Sequence, residues 1–233
     1  DVAPSRGLGD VYKRQEYIPG LFQGVFTGVE SKRKKSLSLE NQHKLMTVKV
    51  ESEVLRETQL VVCLLFQYAG MSFVDFAHLK ERNIKNGILD YNRQKTGTPM
   101  RLEILDTAEL MRKELMGDKK PASGYLFPFL SGTKTGYEAY LEYNAALSRF
   151  NRNLKALKKA AGIASDVTSY TIRHSFAMAL KEQNVPIEMI SELLGHKSIK
   201  TTQIYLRSFS LEKMTEVNST CFGCVYNYVS KVG

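Results

Sequence analysis

One stretch of this chain breaks an otherwise helical text. From Gly87 to Leu105, two extended runs flank Lys95-Thr96-Gly97-Thr98, and a short Gly-containing connection between such runs marks a β-hairpin. Elsewhere the apolar residues recur at helical spacing. Leu55, Leu60, Val62, Leu64 and Leu65 give a buried face to a helix predicted over residues 53–68, which Gly70 then breaks. Ser38 suits the N-cap of a helix starting near Leu39, where its hydroxyl can satisfy free N–H groups of the first turn. Residues 73–79 form a helical turn, and helices are expected over 107–116, 137–161, 169–182, 187–194 and 201–209. No internal repeat or low-complexity tract interrupts them. The expected fold is therefore mainly α with one small antiparallel β-sheet, an α+β class.

With 233 residues, 43% of them hydrophobic, the chain can bury one sizeable core and a small appendage. Its formal charge of +9, from 33 Lys plus Arg against 24 Asp plus Glu, suits an acidic partner such as a nucleic acid backbone. The longest apolar run, Leu60 to Phe66, falls far short of the ~20 residues that span a bilayer. No secretory leader pattern opens the chain, so a cytoplasmic protein without membrane contact is expected. Cys63 sits in an apolar helical stretch as a small hydrophobe. Cys221 and Cys224 have metal-ligand spacing, but no second pair completes a zinc site, and no metal is expected.

Residues 1–15 lack either periodicity and resemble a translated sequencing adapter, so they are set apart from the fold. Residues 16–35 read as a linker ending in the cluster Lys32, Arg33, Lys34 and Lys35. Such a cluster serves either as a clamp on the DNA phosphate backbone or as a solvated linker. The main domain is expected over residues 36–210. An apolar set, Leu211, Met214, Val217, Phe222, Val225 and Tyr228, marks a C-terminal tail over 211–233.

Three groups useful to phosphoryl chemistry on DNA occur in order near the C-terminus. Arg173 lies within Ser169-Tyr170-Thr171-Ile172-Arg173-His174-Ser175; His196 ends Leu194-Gly195-His196; Tyr205 lies within Thr201-Thr202-Gln203-Ile204-Tyr205-Leu206-Arg207. A tyrosine oxygen can attack phosphorus and conserve the bond energy as an ester. An arginine stays charged and planar, suited to the nonbridging oxygens as charge builds on them. A histidine can move a proton or hydrogen-bond the phosphate.

This ordered set resembles the signature of the tyrosine recombinases, also called the phage integrase family. The resemblance covers most of the chain and is densest from Ser169 to Arg207. It implies that family's catalytic-domain fold, with Tyr205 as nucleophile, Arg173 and His196 on the phosphate, and Lys95 of the hairpin protonating the leaving 5′ oxygen. It further implies recombination at double-stranded DNA attachment sites without ATP, metal or other cofactor. Four protomers in the synapse and accessory DNA-bending factors belong to the same expectation, as does an N-terminal helical domain closing a clamp on DNA, which this chain is expected to lack. In family members the C-terminal tail docks on a neighbouring protomer; a tail folding onto its own core is the alternative.

Two positions depart from the family pattern. Where a Gly-Leu-Arg sequence ordinarily supplies the first arginine, this chain has Gly70-Met71-Ser72, and Tyr170 stands where His or Lys ordinarily precedes the second arginine. His174 does not fill that role, because adjacent helical residues point about 100° apart, and is read as a packing residue. The combination resembles the branch carried on mobile elements of Bacteroides-like bacteria. Loss of one transition-state donor costs about 3 kcal/mol, so a substitute arginine is expected. Arg93, on the hairpin face of Lys95 by the period of two, is the first candidate and Arg101 the second. A noncatalytic DNA-binding module, or a helix-turn-helix regulator built on residues 186–205, are the competing interpretations; a covalent protein–DNA adduct would exclude both.

Overall fold

Helix α2 (Glu53–Gln67), with every residue from Thr58 to Leu65 buried, is the element around which the others assemble. In this computed structural model the described residues are 36–121, 124–206, 214–215 and 217–222. Helices α1 (Leu39–Thr47), α4 (Asp106–Met116), α5 (Gly136–Ala160) and α6 (Ser169–Glu182) all pack on α2. That is why its sequence is apolar around more than one face. Cys63 is buried within it, and burial pushes its thiol up to about 11, which leaves it an unreactive packing residue. Ser38 caps α1 as expected, its Oγ accepting the Asn41 N–H at 3.3 Å.

Helix α2 stops one residue earlier than its periodicity suggests, because Ala69 and Gly70 both adopt left-handed backbone, with φ of 54° and 63°. Gly70 has a second reason to be glycine. A Cβ there would lie 2.7 Å from Cδ1 of Phe176 on α6, so the turn and the α2–α6 packing depend on the same missing methyl group. The chain then enters α3 (Phe73–Ala77), too short to hold itself. Aromatic stacking holds it instead: Phe73 lies on Phe150 of α5 at 4.7 Å between centroids, and Phe76 on Phe127 at 4.1 Å.

Among the described residues the sheet has three antiparallel strands in the order β1 (Ile84–Lys85), β2 (Ile88–Asn92), β3 (Pro99–Glu103). The expected hairpin is the β2–β3 pair, in which Tyr91 faces Met100 and Leu89 faces Leu102 on the inner side while Asp90 and Arg101 face each other outside. Strand β1 was not expected. It is joined to β2 by Asn86-Gly87, both at positive φ, the dipeptide and backbone of a tight primed turn. Helices α7 (Ile187–Leu193) and α8 (Ile199–Tyr205) close the described core. They share with α6 a smaller apolar cluster of Ala177, Ile190, Leu194 and Leu206. Helix α8 begins two residues before its expected start because Ser198 accepts the Lys200 N–H and caps it there. Of the tail, residues 217–222 are helical and carry exposed Val217 and Phe222. No helix among the described residues is long and apolar enough to cross a membrane.

The Gly70 turn yields a stability prediction. Gly70→Ala combines positive φ with a steric overlap and is expected to cost about 2–4 kcal/mol in urea unfolding. Gly87→Ala, also at positive φ but with open space where its Cβ would go, is expected to cost about 1 kcal/mol. Equal losses would show that the Phe176 contact is not a constraint.

Candidate active site

Six of the sequence-predicted residues line one cleft of about 630 Å³. Ser72 lines it from the N-terminus of α3, Arg93 and Lys95 from the β2–β3 connection, and Tyr170 and Arg173 from α6. His196 and Lys197 close it from the loop before α8. The hairpin delivers Arg93 and Lys95 by a route other than strand alternation. Strand β2 ends at Asn92, and both residues lie in the turn closed by Arg93 N–H to Thr98 O at 2.9 Å and Gly97 N–H to Arg93 O at 2.8 Å.

Two buried guanidinium groups form the floor. Arg173, 4% exposed, donates from Nη1 to Gly70 O at 2.8 Å and from Nη2 to Leu194 O. Arg93, 8% exposed, donates from Nη1 to Gly195 O at 2.9 Å. The two arginines therefore reach neighbouring carbonyls of one turn, at the C-terminal end of α7, where backbone dipoles favour positive charge. Gly195 makes the approach possible. Its φ is 59°, and a Cβ there would sit 2.7 Å from Cδ of Arg93 and closer still to Sδ of Met100. The glycine of Leu194-Gly195-His196 thus clears the path of Arg93, and its carbonyl holds that arginine.

Asp75, missed in the sequence, organises the wall between α3 and the hairpin. It is 2% exposed; Oδ2 accepts the Ser72 hydroxyl at 2.6 Å, and Oδ1 accepts the Gln94 N–H at 2.7 Å. Oδ2 also lies 3.5 Å from Nε of Arg93, an ion pair rather than a hydrogen bond. Ser72 in turn accepts the Asp75 N–H at 3.4 Å, so the position at which an arginine was expected to be missing is a helix cap. The pattern Ser72-Phe73-Val74-Asp75 is the Ser-x-x-Asp capping signal that could have revealed the carboxylate.

The cleft is electropositive. Arg93, Lys95, Arg173 and Lys197 line it, and no aspartate or glutamate is among its lining residues. Lys197 was another omission, although it directly follows His196. Nδ1 of His196 hydrogen-bonds Thr202 Oγ1 at 2.8 Å. Because a hydroxyl can donate or accept, this bond tolerates either protonation of Nε2, as a proton-transferring group requires. Tyr143 also lines the cleft, and burial first and the Asp75 charge second push its hydroxyl up. Tyr91 is shifted upward for the same two reasons, with Arg173 and Arg93 opposing. Both phenols are thereby poor sources of phenolate.

Tyr205 is the last residue of α8, and its side chain lies outside the described residues. Lys32, Arg33, Lys34 and Lys35 also lie outside them. Arg101 is not brought to the site: it is exposed on β3 and borders a separate cleft with Met189 and Glu192. Tyr170 is 47% exposed at the cleft rim, whereas His174 is buried away from the lining.

Comparison with known proteins identifies the family and the fold. Residues 35–212 match the model of the phage integrase family. Among curated relatives, the tyrosine recombinase XerD of Lacticaseibacillus casei is 52% identical over 54 residues, covering 23% of this chain and 18% of its own length. The tyrosine recombinase XerA of Pyrococcus furiosus is 32% identical over 177 residues, 74% of this chain and 57% of the relative. The chain thus spans little more than half of the second and far less of the first. The crystal structure of XerA recombinase superposes with a TM-score of 0.60 at 20% identity, over 82% of this chain and 64% of that one. The Tn1549 transposon integrase, solved in complex with a circular intermediate DNA, has a TM-score of 0.60 at 14% identity, over 82% and 67%. The fold is that of tyrosine recombinase catalytic domains, and by its matching residues the chain belongs to the phage integrase family.

Proposed function

We propose that the chain is the catalytic part of a site-specific DNA recombinase, acting through a 3′-phosphotyrosyl intermediate to integrate or excise a mobile element. One observation above all supports this: four cationic side chains and a histidine from separate segments meet in a cleft with no carboxylate among its lining residues. A dianionic phosphorane is the species such a cleft stabilises best. In the proposed reaction the Tyr205 oxygen bonds to phosphorus as the bond to the 5′ oxygen breaks, and Lys95 gives that oxygen its proton. His196 hydrogen-bonds the phosphate or accepts the tyrosine proton. Arg173 and Arg93 hold the nonbridging oxygens, with Arg93 in place of the arginine absent at Ser72. Its Nη2 has no hydrogen-bond partner among the described residues and is the donor best suited to an incoming oxygen. A 5′ hydroxyl of the partner duplex then reverses the chemistry, so the exchange needs no ATP or cofactor.

The same proposal includes double-stranded attachment sites and a homotetrameric synapse with accessory DNA-bending factors. It places the protein in the bacterial cytoplasm, on the nucleoid when bound to DNA, and in the Bacteroides-like mobile-element branch. The Tn1549 relative in complex with a circular intermediate DNA supports the mobile-element assignment. Residues 36–210 are proposed as the catalytic domain and 16–35 as a linker whose Lys32, Arg33, Lys34 and Lys35 contact the backbone. The tail over 211–233 either docks on a neighbouring protomer, as the family resemblance implies, or folds onto its own core.

A nicked suicide duplex, scored for an SDS-stable adduct, tests the chemistry with this chain and with a version extended by a clamp-closing N-terminal domain. The adduct is expected to form and to vanish in Tyr205→Phe. Retarded DNA with no adduct in either protein would favour a noncatalytic DNA-binding module. Arg93→Ala is expected to slow adduct formation by about 100- to 1,000-fold, as loss of one transition-state donor does, whereas Arg101→Ala is expected to react as the parent does. The reverse ranking would make Arg101 the substitute. Binding should weaken steeply with salt, and Lys197→Ala should reduce the slope of log K against log salt by about one phosphate contact. An unchanged slope would remove Lys197 from the interface.

A further inference from the structure

We propose that Lys181 is a positioning residue for the nucleophile, capping the helix that ends in Tyr205; this rests on Tyr205 being the attacking group. Helix α8 has seven residues, too few to persist without support at its ends. Its start is capped by Ser198, and its middle is fixed by fully buried Thr202, which bonds His196. The C-terminal end, where Tyr205 lies, leaves backbone carbonyls without helical donors. There the Lys181 ammonium donates to Leu206 O at 2.5 Å, while the Leu206 side chain packs beside Ala177, Ile190 and Leu194. Burial lowers the pKa of Lys181, in keeping with a bond partly withdrawn from water.

The contact matters because of the helix that supplies it. Lys181 and Arg173 both lie on α6, so one rigid element binds the proposed phosphate site at Arg173 and the residue after the nucleophile at Lys181. The Lys181–Leu206 bond therefore ties the backbone that carries Tyr205 to the helix that carries Arg173. Leu206, the residue after Tyr205, is held on both side chain and carbonyl.

The test is single-turnover adduct formation at saturating DNA, with DNA affinity and thermal midpoint measured in parallel, for the parent, Lys181→Met and Lys181→Arg. Methionine keeps the apolar stem and loses the donor. It is expected to slow the chemical step about tenfold or more, since small misplacements near a reacting atom cost up to 10²-fold, with affinity within twofold and little change in midpoint. Arginine, which retains a cationic donor, is expected to restore most of the rate. A methionine variant as fast as the parent overturns the proposal, as does a rate loss that arginine does not rescue or that follows a matching loss of affinity or stability. A parent that forms no adduct overturns the assignment of Tyr205 itself, and this proposal with it.

Discussion

Two guanidinium groups buried side by side are the constraint that most of this structure serves. A buried cation is costly unless it is hydrogen-bonded and its charge is balanced, and the fold meets the first requirement largely with backbone carbonyls. Gly70, Leu194 and Gly195 supply them. Two of these are glycines at positive φ, against which a side chain would collide with Phe176 in one case and with Arg93 in the other. The irregular turns after α2 and α7 are thus the parts that bind arginine, and the regular helices exist to hold those turns together. Asp75 supplies a negative charge beside Arg93.

Asp75 also explains how the family pattern can be altered at Ser72 without loss of order. The carboxylate joins the α3 cap to the hairpin through the Ser72 hydroxyl and the Gln94 amide. Its own position depends on Phe73 and Phe76, whose stacking on Phe150 and Phe127 pins a helix only five residues long. Burial of such rings contributes roughly 1.5–3 kcal/mol each, enough to hold the polar cluster in place.

Much of this was legible in the sequence, for identifiable reasons. Long amphipathic segments such as residues 53–68 and 169–182 carry enough turns for their period to be unambiguous, and Ser38 announces its helix by chemistry alone. The hairpin was visible through Gly97, while β1 was missed because its two residues carry no pattern beyond the Asn86-Gly87 turn. Arg93 and Lys95 do share a cleft, but the turn rather than strand alternation puts them there, which no count of residues could show. The carbonyls of Gly70, Leu194 and Gly195 were invisible for a different reason. Their partners lie up to 103 positions away, and backbone acceptors leave no trace in residue identity.

The central claim is that Arg93 neutralises the charge of the phosphate being cleaved. The most direct measurement replaces that phosphate with a methylphosphonate, which lacks one nonbridging charge, and compares adduct formation by the parent and by Arg93→Ala. If Arg93 acts on charge, the uncharged substrate restores much of the activity that the variant lost on normal DNA. If the variant remains equally impaired on both substrates, Arg93 is a structural partner of Asp75 and Gly195, and another group fills the place of the missing arginine.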